Sequence, residues 1–483
     1  MTQESRFDLA APPTPLADLG RVHFIAIGGA GMSAVARLVL AAGHRVSGSD
    51  VRDSAALRSL EASGAVVSVG HAAEHLGDAD TVVVSSAIRE DNPELVAARS
   101  RGLRVLHRSQ ALAALGTGRR VVAVAGANGK TTTTSMLVVA LAAAGADPTF
   151  ASGADIPQLG TNAALGSGTD FVVEADESDG SFVVYRPDVA LVTNVQADHL
   201  DFYGDLAGVE AAYRRFVGSM AADGLLVTCE DDDGARALGE VARASGRRVL
   251  TYGAGEGADI RLLAPTVTED GGHAGLLAGG ERWELRVQVP GRHNLENAAG
   301  AYGALTAGCG LDARTALDGL AGFVGAARRF ESHGEPGGIR VIDDYAHNAP
   351  KVTAAVRTGA EMARRRRGRL LVVFQPHLYT RTRDFALGFA GALAPADEVV
   401  LLDIYGARED PLAGITSDLI AGPLREVPGE RVVHRVTRFD DAVRLVSDSA
   451  RRGDVVMTIG AGDVTVLAPR IAAALTARPG ADR

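Results

Sequence analysis

The chain predicts an α/β fold in three domains, on three observations. Its 483 residues amount to about three times the usual domain size. Short β-branched runs alternate with segments of helical periodicity through most of the length, the rhythm of parallel strands joined by crossover helices. Glycine-rich turns follow several of those runs directly, where a parallel sheet opens its ligand edge. A composition of 46% hydrophobic, 22% charged and 5% aromatic residues fits helices packed closely on sheets better than an aromatic-rich sandwich.

In the first domain, expected over residues 1–118, the strand runs are "VHFIAI" (Val22 to Ile27), "HRVSGSD" (His44 to Asp50), "AVVSVG", "TVVVSS" (Thr81 to Ser86) and "LRVLH" (Leu103 to His107). Gly28-Gly29-Ala30-Gly31-Met32-Ser33 follows the first run and opens a helix, reading G-x-G-x-x-A from Gly29. Bare amides at a helix N-terminus accept a diphosphate. Asp50 lies about twenty residues on, where a ribose-binding acid belongs. This Rossmann-like signal names a diphosphate and not a molecule: NAD, FAD and a nucleotide sugar all fit.

"LGTGRR" (Leu115 to Arg120) reads as a hinge into a central domain over 119–326. Its strand "VAVA" leads into Gly126-Ala127-Asn128-Gly129-Lys130-Thr131-Thr132 and a long apolar helix. The Walker A spacing would put its first glycine where this chain has Val124. A shorter loop framed by Gly126 and Gly129 keeps every working part: amides around phosphate, Lys130 on the β and γ oxygens, a Thr131 hydroxyl for magnesium. Acidic metal ligands should stand at the same sheet edge. Glu174 ends "FVVEAD", and Asp198-His199 follow "VALVTN". Beyond "LLVTCEDDDG" come antiparallel strands through "ERWELRVQVPG" and a helix from His293. The third domain, 327–483, repeats the βα rhythm and sets "DDYAHN" (Asp343 to Asn348), "QPHLYTRT" (Gln375 to Thr382) and "GAGD" (Gly460 to Asp463) after strands. Such carboxylate, histidine, tyrosine and arginine groups suit a small zwitterion or a nucleotide.

Other classes fall away. A net charge of -10 argues against a nucleic-acid binder, and the basic block Arg364 to Arg369 is explained by a helix C-terminus. Two distant cysteines, Cys229 and Cys309, form no metal cluster and fit a reducing compartment. The first twenty residues lack the basic start and apolar core of a secretion signal. No apolar run reaches ~18 residues, so no membrane insertion is expected. A cytoplasmic location follows.

Taken together, "HFIAIGGAGMS", "GANGKTTTT", "EADESDGSF", "TNVQADHLDFYG", "PGRHNLENA", "ARRFE", "DDYAH", "FQPHLYTRT" and "GAGD" closely resemble the Mur ligases, over nearly the whole chain. The resemblance implies an N-terminal Rossmann-like UDP-binding domain, a central P-loop ATPase-like mixed sheet, and a C-terminal Rossmann-like domain that closes on ATP and the amino acid. It implies ATP-dependent amide formation in peptidoglycan precursor synthesis, with ATP and Mg2+ as cofactors. UDP-N-acetylmuramic acid and a small L-amino acid, L-alanine first, are the expected partners, and the protein is expected as a monomer or weak homodimer. By resemblance, Gly126, Asn128, Gly129, Lys130, Thr131 and Thr132 hold the phosphates. Thr131, Glu174 and His199 hold metal, Asn297 meets adenine, and Arg329 and Asp344 belong to the nucleotide-closing surface. Tyr345, His347 and Arg381 resemble the amino-acid pocket, with Arg381 forked to the carboxylate. Gly29, Gly31, Met32 and Ser33 line the UDP site, with Asp50 near its ribose and His71 a further candidate for that site. Two departures stand beside this. The alanine-adding branch carries Thr-His where this chain has Ala127-Asn128, and "DDYAHHPTE" where this chain reads "DDYAHNAPK", with Asn348 and Lys351. A paralogue adding glycine, L-serine or a recycled tripeptide is the alternative.

Overall fold

The computed structural model describes residues 6–407 and 409–478. The chain forms two compact units, Met1–Val324 and Gly325–Arg483.

The first unit contains two sheets. One is five-stranded and wholly parallel, in the order Val66–Val69, Val46–Asp50, Val22–Ile25, Thr81–Val84, Arg104–His107. Its central strands Val22–Ile25 and Thr81–Val84 are buried at every residue, as a sheet covered on both faces requires. Strand order reverses between those two, and a doubly wound sheet opens its ligand crevice at that reversal. The glycine turn after Val22–Ile25 feeds the helix Ala30–Ala41 there.

The other sheet has ten strands and is mixed. Arg248–Gly253, Leu225–Cys229, Val189–Val192, Arg120–Ala125, Asp170–Glu174 and Thr149–Ile156 run parallel in that spatial order. Antiparallel ribbons close each end, Thr161–Ala164 on one side and Ile260–Val267, Gly272–Ala278 and Glu281–Val287 on the other. The helix Lys130–Ala143 springs directly from the Arg120–Ala125 strand turn. Its Met136, Leu137, Val138 and Leu141 are buried, so it is apolar all round, as a helix enclosed by sheet and neighbouring helices must be. Side chains tie the two sheets into one unit: Arg37 Nη2 donates to Asn162 Oδ1 (2.6 Å) and Ser86 Oγ to Asp179 Oδ2 (2.6 Å).

The second unit carries a six-stranded sheet, Glu331–Ser332, Arg340–Asp344, Val455–Ile459, Leu370–Phe374, Glu398–Leu401, Val432–Arg435, parallel except for the first pair. One face packs Phe374, Leu401 and Met457 against Val352, Phe389 and Ile420; the other packs Val341, Val373 and Val456 against Val446 and Ile471. The helix Ala349–Arg365 ends in Arg364 and Arg365, which complement its C-terminal dipole as the basic block predicts. Among the described residues no helix is long and apolar enough to cross a membrane. Cys229 and Cys309 are free and buried.

Candidate active site

The phosphate loop is built by backbone conformations that only glycine adopts cheaply. Gly126 has φ 141° and Gly129 φ 86°. A Cβ on Gly126 would stand 1.9 Å from Thr193 Oγ1, and one on Gly129 2.7 Å from Asn297 Oδ1. Both positions therefore exclude a side chain twice over, by torsion and by contact. Asn297, far along the chain on the helix Arg292–Gly303, is thereby placed against the loop.

Lys130 begins the helix, and its ammonium is enclosed. Nζ donates to Glu177 Oε2 (2.7 Å) and Oε1 (3.0 Å) and to the Gly126 carbonyl (2.6 Å). Burial alone would pull the ammonium down, but Glu177, Asp176 and Glu174 outweigh it and hold Lys130 above its ordinary value. Thr131 Oγ1 donates to Glu174 Oε1 (3.0 Å), and Gly153 N to Glu174 Oε2 (2.6 Å). Thr132 follows, half-buried in the first helical turn. His199 sits in a left-handed conformation, φ 53° and ψ 38°, the kind of local strain that clusters at functional sites. Its Nε2 lies 3.9 Å from Glu177 Oε1. Asp176, Glu177 and His199 each offer an atom within 4.8 Å of the others. Three carboxylates thus face a single ammonium. That excess negative charge, with oxygen donors predominating, fits a hard divalent cation such as magnesium.

At the carboxyl edge of the five-stranded sheet, Gly29, Gly31, Met32 and Ser33 form the turn and first helical turn, with Met32 and Ser33 buried. Asp50 reaches this turn: its Oδ2 accepts from Gly28 N (2.9 Å). His71 stands just past the strand Val66–Val69, its Nδ1 on Ser49 Oγ (2.9 Å).

In the second unit three adjacent parallel strands, Arg340–Asp344, Val455–Ile459 and Leu370–Phe374, deliver "DDYAHN", "GAGD" and "QPH" to one edge. The Arg328 and Arg329 guanidinium carbons each lie 4.8 Å from the Tyr345 ring centroid, a cation–π arrangement. Asp344 accepts from Phe330 N (2.9 Å) and Ala346 N (2.8 Å). Burial pushes its carboxyl up, and Arg329 only partly opposes this. His347 Nδ1 meets the Tyr345 carbonyl (3.0 Å), and Arg381 Nη1 donates to the His347 carbonyl (3.5 Å). Burial, then the cations Lys351 and Arg381, press the His347 imidazole down to about 3. It is a neutral hydrogen-bonding group at pH 7.

Residues 21–120 match the family model "Mur ligase family, catalytic domain", 124–305 "Mur ligase middle domain" and 328–462 "Mur ligase, glutamate ligase domain". The chain is 52% identical to the UDP-N-acetylmuramate–L-alanine ligase of Renibacterium salmoninarum, over 93% of this chain and 95% of that one. It belongs to the Mur ligase family. The Thermobifida fusca protein of the same name is 51% identical over 96% of this chain and 98% of its own. Among solved structures, the UDP-N-acetylmuramate-alanine ligase MurC of Thermotoga maritima superposes with a TM-score of 0.77 at 29% identity, covering 93% of this chain and 98% of that chain.

Several residues of this Mur ligase site escape a reading of strand-end motifs. Glu177 is the direct partner of Lys130, although only Glu174 stands at the strand end; the run of acids in "EADESD" is the one signal that could have found it. Arg108 stands over the first glycine turn, its Nη1 2.7 Å from where a Cβ on Gly31 would be. Asp179 joins the acidic loop that carries Glu177 to Ser86 and lies 3.4 Å from His107 Nε2. Two of the departures from the alanine-adding pattern, Asn128 and Asn348, make local hydrogen bonds. Asn128 Nδ2 donates to Gln196 Oε1 (3.2 Å), and the Asn128 carbonyl accepts from Thr193 Oγ1 (2.6 Å) and Asn194 Nδ2 (3.0 Å). Asn348 caps the helix Ala349–Arg365, its Oδ1 accepting from Lys351 N (3.0 Å), the ordinary work of an N-cap asparagine.

Proposed function

We propose that this chain is the ATP-dependent ligase that joins L-alanine to the lactyl carboxylate of UDP-N-acetylmuramic acid. The observation that carries it is 52% identity across 93% of the chain to an enzyme of that name, with each part of the phosphate loop in place. The glycine, serine and tripeptide alternatives are not favoured, because relatives about 50% identical over nearly the whole chain carry the alanine-adding name, and Asn128 and Asn348 each make local hydrogen bonds.

A carboxylate does not react with an amine, so one carboxylate oxygen first attacks the γ-phosphorus of ATP. The bond to the β-phosphate oxygen breaks, ADP leaves, and an acyl phosphate forms. The free amine of alanine then attacks the acyl carbon, the carbon–oxygen bond to phosphate breaks, and inorganic phosphate departs, taking up the proton that the nitrogen sheds as the amide forms. Two anions must meet in the first step, so positioned positive charge supplies most of the acceleration. Lys130, now on Glu177, is the protein's own contribution. Glu174, Thr131, Asp176, Glu177 and His199 are the groups that would hold magnesium, which supplies further charge neutralisation when bound. Asn297 beside Gly129 suits the nucleotide, and Gly29, Gly31, Met32, Ser33 and Asp50 the UDP moiety. For the amino acid, Arg381 suits the carboxylate. His347, pressed down to about 3, is too weak a base to store the ammonium proton and instead accepts a hydrogen bond from the amine. ATP and a nucleotide-linked sugar as substrates support a cytoplasmic reaction.

Phosphate release from ATP, assayed with L-alanine, L-serine, glycine and a tripeptide, should require UDP-N-acetylmuramic acid and favour alanine. Release that ignores the UDP sugar would end the assignment, and preference for the tripeptide would move it to peptide recycling.

A further inference from the structure

Glu94 is a carboxylate at the first turn of the helix Pro93–Ser100, with 0% of its surface exposed. It carries no charge partner of the kind that usually accompanies a buried acid: no lysine or arginine is paired with it among the described residues. Its partners are a serine, a backbone amide and imidazoles. Oε1 accepts from Ala72 N (3.3 Å) and meets His75 Nδ1 (3.1 Å). Oε2 accepts from Ser49 Oγ (2.6 Å) and lies 3.3 Å from His71 Nδ1 and 3.7 Å from His23 Nε2. Burial pushes the carboxyl up, yet His23, Ser49 and the Ala72 amide overcome it and hold Glu94 down at about 2. It is therefore ionised and an acceptor only.

That fact fixes the protons on Ser49 Oγ and on His71 Nδ1. The Ser49 hydroxyl hydrogen is committed to Glu94, so Ser49 Oγ faces His71 as an acceptor (2.9 Å). Both atoms near His71 Nδ1, Ser49 Oγ and Glu94 Oε2, now accept, so Nδ1 must be the nitrogen that bears hydrogen. In the neutral ring Nε2 is then left as a bare lone pair. The same carboxylate oxygen set grips Ala72 N and His75, so the segment from His71 to His75 is held to the sheet beside the strand Val46–Asp50. His71 keeps 16% of its side chain open at the edge where Asp50 meets the glycine turn.

We infer that Glu94 is a positioning residue for UDP-sugar recognition: through Ser49 it locks His71 in the Nδ1–H tautomer, presenting Nε2 as an acceptor to a hydroxyl or imide N–H of the nucleotide. The inference rests on the proposed UDP-sugar activity and extends it to a residue that touches no ligand. Glu94→Gln breaks the logic, because an amide offers one acceptor and adds a donor.

The test combines nitrogen-15 NMR of the histidine rings in the free protein with calorimetric titration by UDP-N-acetylmuramic acid. The wild type should show His71 as the Nδ1–H tautomer. Glu94→Gln should lose that signature and weaken sugar binding about tenfold, the loss of one well-made hydrogen bond, with KM for the sugar rising more than kcat falls and KM for ATP steady. Ser49→Ala, which leaves the buried carboxylate intact, should move both readouts the same way by about threefold. In a His71→Ala background, Glu94→Gln should cost no further affinity. Additive losses in that background, or an Nε2–H tautomer in the wild type, would overturn the inference while leaving the proposed activity standing. Failure of the wild type to bind the UDP sugar would overturn both.

Discussion

The carboxyl edge of the central sheet and that of the C-terminal sheet are built from the same βα units and carry opposite electrostatics. Around Lys130 stand Glu174, Asp176 and Glu177, and the cluster is short of positive charge. Around Tyr345 and His347 stand Arg328, Arg329 and Arg381; of the acids there, Asp344 is buried and held by backbone amides, and Asp343 lies 3.5 Å from Arg328 Nε. On the proposed function, the first edge suits a cation and the phosphates it escorts. The second suits a carboxylate. A ligase that activates one acid and receives another molecule bearing one needs both, and the fold supplies them by changing loop residues at strand ends, not by changing topology.

Paired substitutions should pull the two edges apart. Lys130→Ala is expected to lower kcat by about a thousandfold or more while UDP-sugar affinity, read by calorimetry, changes by less than about threefold, since the glycine turn proposed for the sugar lies on the other sheet of that unit. Arg381→Ala should instead raise KM for alanine about thirty- to a hundredfold, the loss of a charge-assisted fork, and Arg381→Lys should recover only part of it. Equal damage to both substrates by either change would erase the division.

Acidification should separate the two units by a smaller margin. His107 is held at about 4, by burial first and despite Asp179; burial likewise lowers His293. The C-terminal unit has His347, at about 3. Each folded value lies below the ordinary 6.5, so the unfolded chain binds protons that the folded chain lacks. Stability therefore rises with pH in this window and is lost as pH falls from 6.5. At pH 5, still above the ordinary carboxylate range, His107 and His347 should each cost about 2 kcal/mol. The first unit, with two such rings, should lose more than the second. Melts at pH 7 and pH 5, followed by probes in each unit, check this; a larger loss in the C-terminal unit would contradict it.

Legibility in the sequence followed chain distance. Strands, the two glycine turns and the Lys130 loop were readable because each is a local pattern: a β-branched run, a turn, a helix start. The site's edges were readable because strand ends of a parallel sheet share an edge by topology. What could not be read depends on which side chain reaches which. Glu177 rather than Glu174 meets Lys130 because the turn after the strand carries it inward. Glu94 and Ser49 lie 45 residues apart, and Ser86 and Asp179 93 apart; nothing in either local pattern announces the contact. Asn128 and Asn348 show the converse. Read beside a family pattern they leave the amino acid open, whereas in three dimensions one meets Gln196 and the other caps a helix.

The order of bond making is the centre of the account, and an isotope reports it. UDP-N-acetylmuramic acid labelled with oxygen-18 in its lactyl carboxylate should, on turnover with ATP and L-alanine, pass label to the released phosphate, because the carboxylate oxygen that attacks the γ-phosphorus leaves with it. Released phosphate free of label, with alanine still joined, would contradict the acyl phosphate and the role given to Lys130.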